Sequence, residues 1–257
     1  MALINYQKKL LNNGMVLLNN FFNNVERNMV INWANYLQNL PETKNKWMTY
    51  NETNTNAKTR MEYFVKYHKP VYDFVHYRLT PLVNNISGEN MVVFKDKINW
   101  KLPNTKGFAA HQDHLAWNNF SNKKFITVAL FADDTNEDNG CLEFVENKHN
   151  EGIFEHDLET SGALSKDIEK SFDWKPVNTT TYDVLLFDSY IPHRSGPNIS
   201  DMSRRIFYFT YSNLEDGDLY EEYNRIKRLE FPPVIERDPS KEYNNLGTRF
   251  NLANPIN

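Results

Sequence analysis

Two textures divide the chain. Up to about residue 90, apolar positions recur at helical spacing among polar ones. Val30, Trp33, Ala34 and Leu37 fall on one face of a helix expected over 25–40 and stopped by Pro41. A second helix starting near Pro70 carries Val71, Phe74, Val75 and Arg78. From Met91 onward the pattern changes to short runs rich in β-branched and aromatic residues: MVVFKDKINWKL, KFITVALFAD, CLEFVEN, YDVLLFD and RRIFYFTYS, separated by Gly, Pro, Asn and Asp. These predict strands. KFITVALFA is apolar on both faces of its alternation and should lie between two layers. In RRIFYFTYS, Arg204, Ile206 and Tyr208 alternate with Arg205, Phe207 and Phe209, so the two arginines must point to opposite faces. After Asn213 the pattern predicts a short helix and then an extended, Pro-rich segment that packs against the strands.

No break in composition, long linker or internal repeat separates helices from strands. One domain over 1–257 is therefore expected, with a helical flank at 1–90, a strand-built core at 91–213 and a C-terminal extension at 214–257. Lys+Arg total 29 against 33 Asp+Glu, a formal net charge of -4, which gives no basic excess to attract nucleic acid or an acidic membrane. No apolar run is long enough to span a bilayer, and the N-terminus lacks a leader pattern, so a cytoplasmic protein is expected, with its oligomeric state left open. Cys141 is the one cysteine, which rules out an internal disulfide and a thiolate zinc site. Any metal must be held by His and carboxylate.

The residues that could do so are His111 and Asp113 in AAHQDHLAW and His193 in FDSYIPHRSGPN. Two imidazoles and one carboxylate keep Fe(II) bound while leaving neighbouring positions open. On a strand, positions two apart share a face, so one segment can supply His111 and Asp113 and a distant strand the third ligand. An H-x-D triplet alone arises by chance too readily to carry this. His68, His76, His149 and His156 are taken as structural or exposed.

The ordered set of His111-x-Asp113, His193 and Arg204, with KDKINWKLP before GFAAHQD, then NGCLEFV, YDVLLFDSYIPHRSGPN and RRIFYFTYS, resembles the phytanoyl-CoA hydroxylase (PhyH) family of 2-oxoglutarate-dependent dioxygenases over about Met91 to Asn213. Tyr182 departs from the family's usual Gly before the Asp of the penultimate strand, a difference confined to a turn. The resemblance implies a mainly β double-stranded β-helix (a jelly roll, cupin-like) with flanking N-terminal helices. It implies iron on His111, Asp113 and His193, with 2-oxoglutarate and O2 as co-substrates and succinate and CO2 released as a small substrate is hydroxylated. A carboxylate at Asp113, where halogenating relatives have a small residue, implies hydroxylation. Arg204 would take the distal carboxylate of 2-oxoglutarate, helped by Ser195, while Lys97, Asn99 and Gln112 would line its other end. His114 and Trp117 would face the substrate, and Lys101, Arg60 or Arg205 would meet an anionic group on it. The combination of FKDKIN, HRSGPN, FPPVIER and a terminal NPI is similar to bacterial members acting on small molecules such as 2-aminoethylphosphonate; another small amine, amino acid or acyl substrate is the alternative. A non-catalytic jelly roll with a structural metal is the reading from a different class. It would not need Arg204 on the triad's side.

Overall fold

The computed structural model describes residues 2–51, 57–157, 162–241, 243 and 250. Helix α1 (Ala2–Asn13) leads into strand β1 (Met15–Leu18), followed by α2 (Asn24–Asn39), β2 (Met48–Asn51) and β3 (Lys58–Glu62). A helical segment then runs from α3 (Lys69–Phe74) through a π turn (Val75–Leu79) to α4 (Thr80–Ser87). The strand-rich part comprises β4 (Met91–Lys101), β5 (Phe108–His111), α5 (His114–Trp117), β6 (Ile126–Phe131) and β7 (Leu142–Phe144). A small hairpin of β8 (His156–Asp157) and β9 (Ala163–Leu164) follows, then α6 (Lys166–Ser171), β10 (Lys175–Val177), β11 (Val184–Asp188), β12 (His193–Ser195), β13 (Arg204–Asn213) and α7 (Tyr220–Glu230).

Two antiparallel sheets form a jelly roll. The larger has seven strands in the order β1-β11-β6-β13-β4-β3-β2, and the smaller has four in the order β10-β7-β12-β5. Every residue of β6 is buried, as its two-sided apolar pattern requires. On the outer face of the large sheet, Ile98, Trp100, Val128, Leu130, Leu186, Phe207 and Phe209 pack against Val30, Trp33, Ala34 and Leu37 of α2 and the α3–α4 segment. Each large apolar side chain buried there contributes roughly 1.5–3 kcal/mol. Helix α2 starts at a capping box: the Asn23 side chain accepts from the backbone N–H groups of Val25 and Glu26, and Glu26 accepts from that of Asn23. The inner face packs against the small sheet through Ala129, Phe131, Leu185, Phe187, Ile206 and Tyr208 on one side and Leu142 and Phe144 on the other.

The flank at 1–90 is not wholly helical, and this corrects the sequence expectation. Strand β1 pairs with β11 (Met15 opposite Phe187), and β3 pairs with β4 (Arg60 opposite Asn99). A four-residue apolar run such as MVLL is too short to show a period, and KTRME carries charged residues where a strand's buried face would be apolar. Helix α7 is clamped to the sheet by Asp96, which accepts from Tyr220 Oη at 2.6 Å and from the backbone N–H groups of Phe64 and Val65. The FPPVIER segment packs beside it: Phe231 stacks on Tyr50, whose hydroxyl donates to the Phe231 carbonyl at 2.8 Å, and the Arg237 guanidinium lies 5.3 Å from the Phe231 ring.

Candidate iron and co-substrate site

Strands β5 and β12 are neighbours in the small sheet, and their register sets His111 directly opposite His193. The ring centroids are 4.2 Å apart. His111 Nδ1 lies 2.8 Å from the Ala109 carbonyl and His193 Nδ1 lies 3.1 Å from that of Ile191. A carbonyl oxygen can only accept, so each Nδ1 carries the proton and each Nε2 is left with a free lone pair. Asp113 completes the set, with Oδ1 3.8 Å from His111 Nε2 and Oδ2 3.8 Å from His193 Nε2. The three ligand atoms lie within 4.8 Å of one another. Asp113 does not lie on the strand, as the two-residue spacing had suggested: β5 ends at His111, and Asp113 takes up helical backbone angles at the start of α5. The turn, not the pleat, brings its carboxylate beside the imidazoles.

Burial pushes the His111 imidazole down to about 3, helped by His193, and lowers His193 as well. Both rings are thereby kept neutral and able to donate to a metal. The Asp113 carboxyl lies below its ordinary value: burial would raise it, but any charge taken up by His193 or His111 and the charges of Lys97 and Lys95 outweigh that. Neutral imidazole nitrogens and one ionised carboxylate, fixed from behind by backbone carbonyls, fit a ferrous ion with open positions.

The triad opens into a cleft enclosing about 510 Å³ of empty space, solvent at its mouth included; its walls include Lys95, Lys97, Asn99, Phe108, Trp117 and Tyr208. At one end Lys101 donates to Ser195 Oγ at 2.8 Å and to the Gly196 carbonyl. Beside it lies Arg204, fully buried, with Nη1 donating to the Gly140 carbonyl and Nε without a partner among the described residues. Burial, then the Arg204 charge, pushes the Lys101 amine down to about 6. Gly140 is needed here: its φ is +71°, and a Cβ would press into the Gly196 carbonyl oxygen and the Lys101 amine.

Of the residues named from the sequence, His111, Asp113, His193, Ser195, Asn99, Lys97 and Trp117 meet at this cleft. Arg204 lies next to Lys101, behind the Ser195 end of the lining, and the others are placed elsewhere. Gln112 points away from it, its amide spent on the carbonyls of Gly152 and Tyr190 and on the Phe154 N–H, because it alternates with His111. His114 is buried against Tyr190, stacked at 3.8 Å and bonded through Nε2 to its hydroxyl at 2.7 Å. Lys101 is bonded to Ser195 and stands opposite Arg204 in register, outside the residues that line the cleft. Arg60 lies behind the cleft wall, paired with Glu62 at 3.6 Å. Arg205 is on the outer face, doubly bonded to Asp133, as the alternation with Arg204 requires. Sequence reasoning missed Lys95, Thr127 and Thr210, which line the cleft, and the buried Glu62–Lys227 pair at 2.6 Å behind it. The signal for Lys95 was present: it shares the strand face of Lys97, Asn99 and Lys101.

An iron-dependent oxygenase on a jelly-roll scaffold is the class that this donor set and cleft define, and comparison with known proteins agrees. The family model described as phytanoyl-CoA dioxygenase (PhyH) matches residues 10–206. The chain is 37% identical over 249 residues to a 2-aminoethylphosphonate dioxygenase of uncultured bacterium HF130_AEPn_1, covering 95% of this chain and 94% of that protein. It is 33% identical to a methylphosphonate hydroxylase of Gimesia maris, covering 86% and 85%. Among solved structures, EctD from S. alaskensis with 2-oxoglutarate and 5-hydroxyectoine superposes with a TM-score of 0.72 at 14% identity, over 82% of this chain and 76% of that one. The epimerase SnoN in complex with Fe3+, alpha ketoglutarate and nogalamycin RO gives 0.70 at 16%, over 95% and 97%. The chain belongs to the PhyH family and is a 2-oxoglutarate-dependent dioxygenase that uses iron. Among the described residues, no helix is long and apolar enough to cross a membrane.

Proposed function

We propose that this dioxygenase hydroxylates a small organophosphonate, 2-aminoethylphosphonate foremost, with His111, Asp113 and His193 holding the iron and Arg204 anchoring 2-oxoglutarate. The observation that carries the reading is the convergence of two free imidazole Nε2 atoms and the Asp113 carboxylate on a cleft whose Ser195 end is backed by Lys101, with the buried Arg204 opposite Lys101 in register. The two phosphonate-acting relatives support the substrate, and the modest cleft suits a small molecule. Ferrous iron with 2-oxoglutarate and O2 supplies the oxidising power for hydroxylation of a C–H bond, succinate and CO2 being released.

The chain's own groups do the rest. The carbonyls of Ala109 and Ile191 hold both rings in the donating tautomer. Arg204 offers a planar fork to the distal carboxylate of 2-oxoglutarate, where its unpartnered Nε gains an acceptor. Ser195 adds a hydroxyl at the same end, and Lys101 an amine whose charged form an arriving carboxylate would favour. Asn99 lines the cleft between that end and Lys97, with its buried Oδ1 unpartnered among the described residues. Trp117, packed on Phe94 and Phe125, walls the substrate side and excludes water. The reading includes a single catalytic domain working in the cytoplasm, where 2-oxoglutarate and ferrous iron are supplied.

Succinate release, followed by NMR with and without 2-aminoethylphosphonate, tests it in parent protein and in His111→Ala. Substrate-stimulated succinate with a new carbinol signal, absent from the variant, is the expected result. Succinate without stimulation by any phosphonate would sink the substrate and favour a small amine, amino acid or acyl compound. Iron bound with no 2-oxoglutarate turnover at all would favour a non-catalytic jelly roll.

A further inference from the structure

We propose that Lys97 and Lys95 form the subsite for the doubly negative phosphonate head of the substrate, with Glu62, Arg60 and Lys227 behind them as a buried frame that holds this cationic wall in place. The proposal rests on the hydroxylase reading above and deepens it.

Strand β4 presents Lys95, Lys97, Asn99 and Lys101 to the inside of the jelly roll. Their neighbours in register, Thr210, Tyr208, Ile206 and Arg204 of β13 and Glu62 and Arg60 of β3, face the same way. The cationic inner face has two separate ends. At about 3.3 Å per residue, Lys101 and Lys97 are roughly 13 Å apart along the strand. The Lys101 end contains Arg204 and Ser195 and is taken by the co-substrate. On β12, His193 is only two residues from Ser195, so the triad faces the stretch between the two ends. The Lys97–Lys95 end, walled by Trp117, Thr127, Tyr208 and Thr210, is what remains of the cleft for the primary substrate.

The charge there is unbalanced. Arg60, Lys95, Lys97 and Lys227 surround Glu62, and among the described residues Asp96, bonded on the other side of β4 to Tyr220, Phe64 and Val65, is the further carboxylate outside the triad that acts on Lys95. Lys227 lies 2.6 Å, Arg60 3.6 Å and Lys95 3.9 Å from Glu62 oxygens. Lys97 has no hydrogen-bond or ion-pair partner among the described residues; its amine hangs in the cleft 4.7 Å from the Tyr208 ring centroid. Burial, with the charges of Lys95 and Arg60, pushes that amine down to about 7, so an arriving anion would favour its charged form. Cations held in excess inside a fold are costly unless an anion meets them. A phosphonate brings up to two negative charges and three acceptor oxygens, enough for both lysines, whereas a carboxylate brings one charge and an ammonium group would be repelled.

The test is calorimetric binding, without O2, of 2-aminoethylphosphonate and of its carboxylate analogue β-alanine to protein carrying Fe(II) and 2-oxoglutarate. Lys97→Met should weaken the phosphonate about 10- to 100-fold, the loss of one charge-assisted contact, and 2-oxoglutarate much less; an equal loss of both would return Lys97 to the co-substrate, as the sequence expectation had it, and overturn the subsite. Lys97→Arg should recover part of the loss, which a packing role would not give. β-Alanine should bind at least 10-fold more weakly than the phosphonate to parent protein. Unchanged phosphonate affinity in Lys97→Met, or equal binding of the two ligands, overturns the subsite while 2-oxoglutarate binding and turnover leave the hydroxylase reading standing. Parent protein that binds neither 2-oxoglutarate nor phosphonate overturns both.

Discussion

The two faces of strand β4, built from alternate residues of one eleven-residue run, do opposite work. Toward the helices, Ile98 and Trp100 lie in a dry core with Phe207 and Phe209 of β13 and Val30 and Trp33 of α2. Toward the small sheet, Lys95, Asn99 and Lys101 are buried and Lys97 partly so, yet all are polar, and neither Lys97 nor the Asn99 Oδ1 has a partner among the described residues. A period of two lets one strand hold the protein together on one side and build a site on the other. The difference teaches that burial here is not a proxy for stabilisation: the outer face lowers the free energy of the fold, while the inner face stores uncompensated charge for ligands.

Substitutions on either face can break this comparison. The largest effect on folding is expected at Trp100→Ala, where an emptied core position costs about 3–5 kcal/mol, checked by urea denaturation. Glu62→Gln comes next. It leaves Lys227, Lys95 and Arg60 around a neutral amide and should destabilise by about 3 kcal/mol at pH 7. Burial would raise the Glu62 carboxyl, but the three cations hold it at about 2, against an ordinary 4.5. Its stabilisation is therefore complete above pH 4.5 and is lost as the pH falls toward 2, so the denaturation midpoints of parent and Glu62→Gln should converge in that window. A gap that persisted to pH 2 would refute the ionic account.

Neighbouring arginines sharpen the contrast. Arg204→Met should raise the KM for 2-oxoglutarate about 100-fold without lowering the urea midpoint, because a buried cation with an unpartnered Nε is removed. Arg205→Met should do the reverse, and more weakly. Losing its paired contacts to Asp133 should cost about 1 kcal/mol of stability, with the KM for 2-oxoglutarate unchanged. Equal effects of the two substitutions on KM would show that the faces are not functionally separate.

Much of this was legible in the chain because local chemistry decided it. The strands over 91–101, 126–131, 184–188 and 204–213 and the helix over 24–39 follow from apolar periodicity, and the opposed directions of Arg204 and Arg205 from alternation alone. The candidate metal donors were named from the ordered set of His111-x-Asp113, His193 and Arg204 that resembles the PhyH family, composition having narrowed the ligand types only to His and carboxylate. Tertiary structure decided what periodicity cannot carry. Lys95 and Lys97 sit at positions that suit a solvated strand edge, and only the pairing of β4 between β13 and β3, under the small sheet, turns that edge into an interior. Gln112 and His114 lie beside the triad in sequence, but a strand end and a helical turn send them to carbonyls and to Tyr190. Glu62 and Lys227 are 165 positions apart and meet at 2.6 Å. Sequence spacing sets which residues a strand or turn can offer to one side; which charges then face one another depends on contacts between distant segments, and those exist only once the sheets have closed.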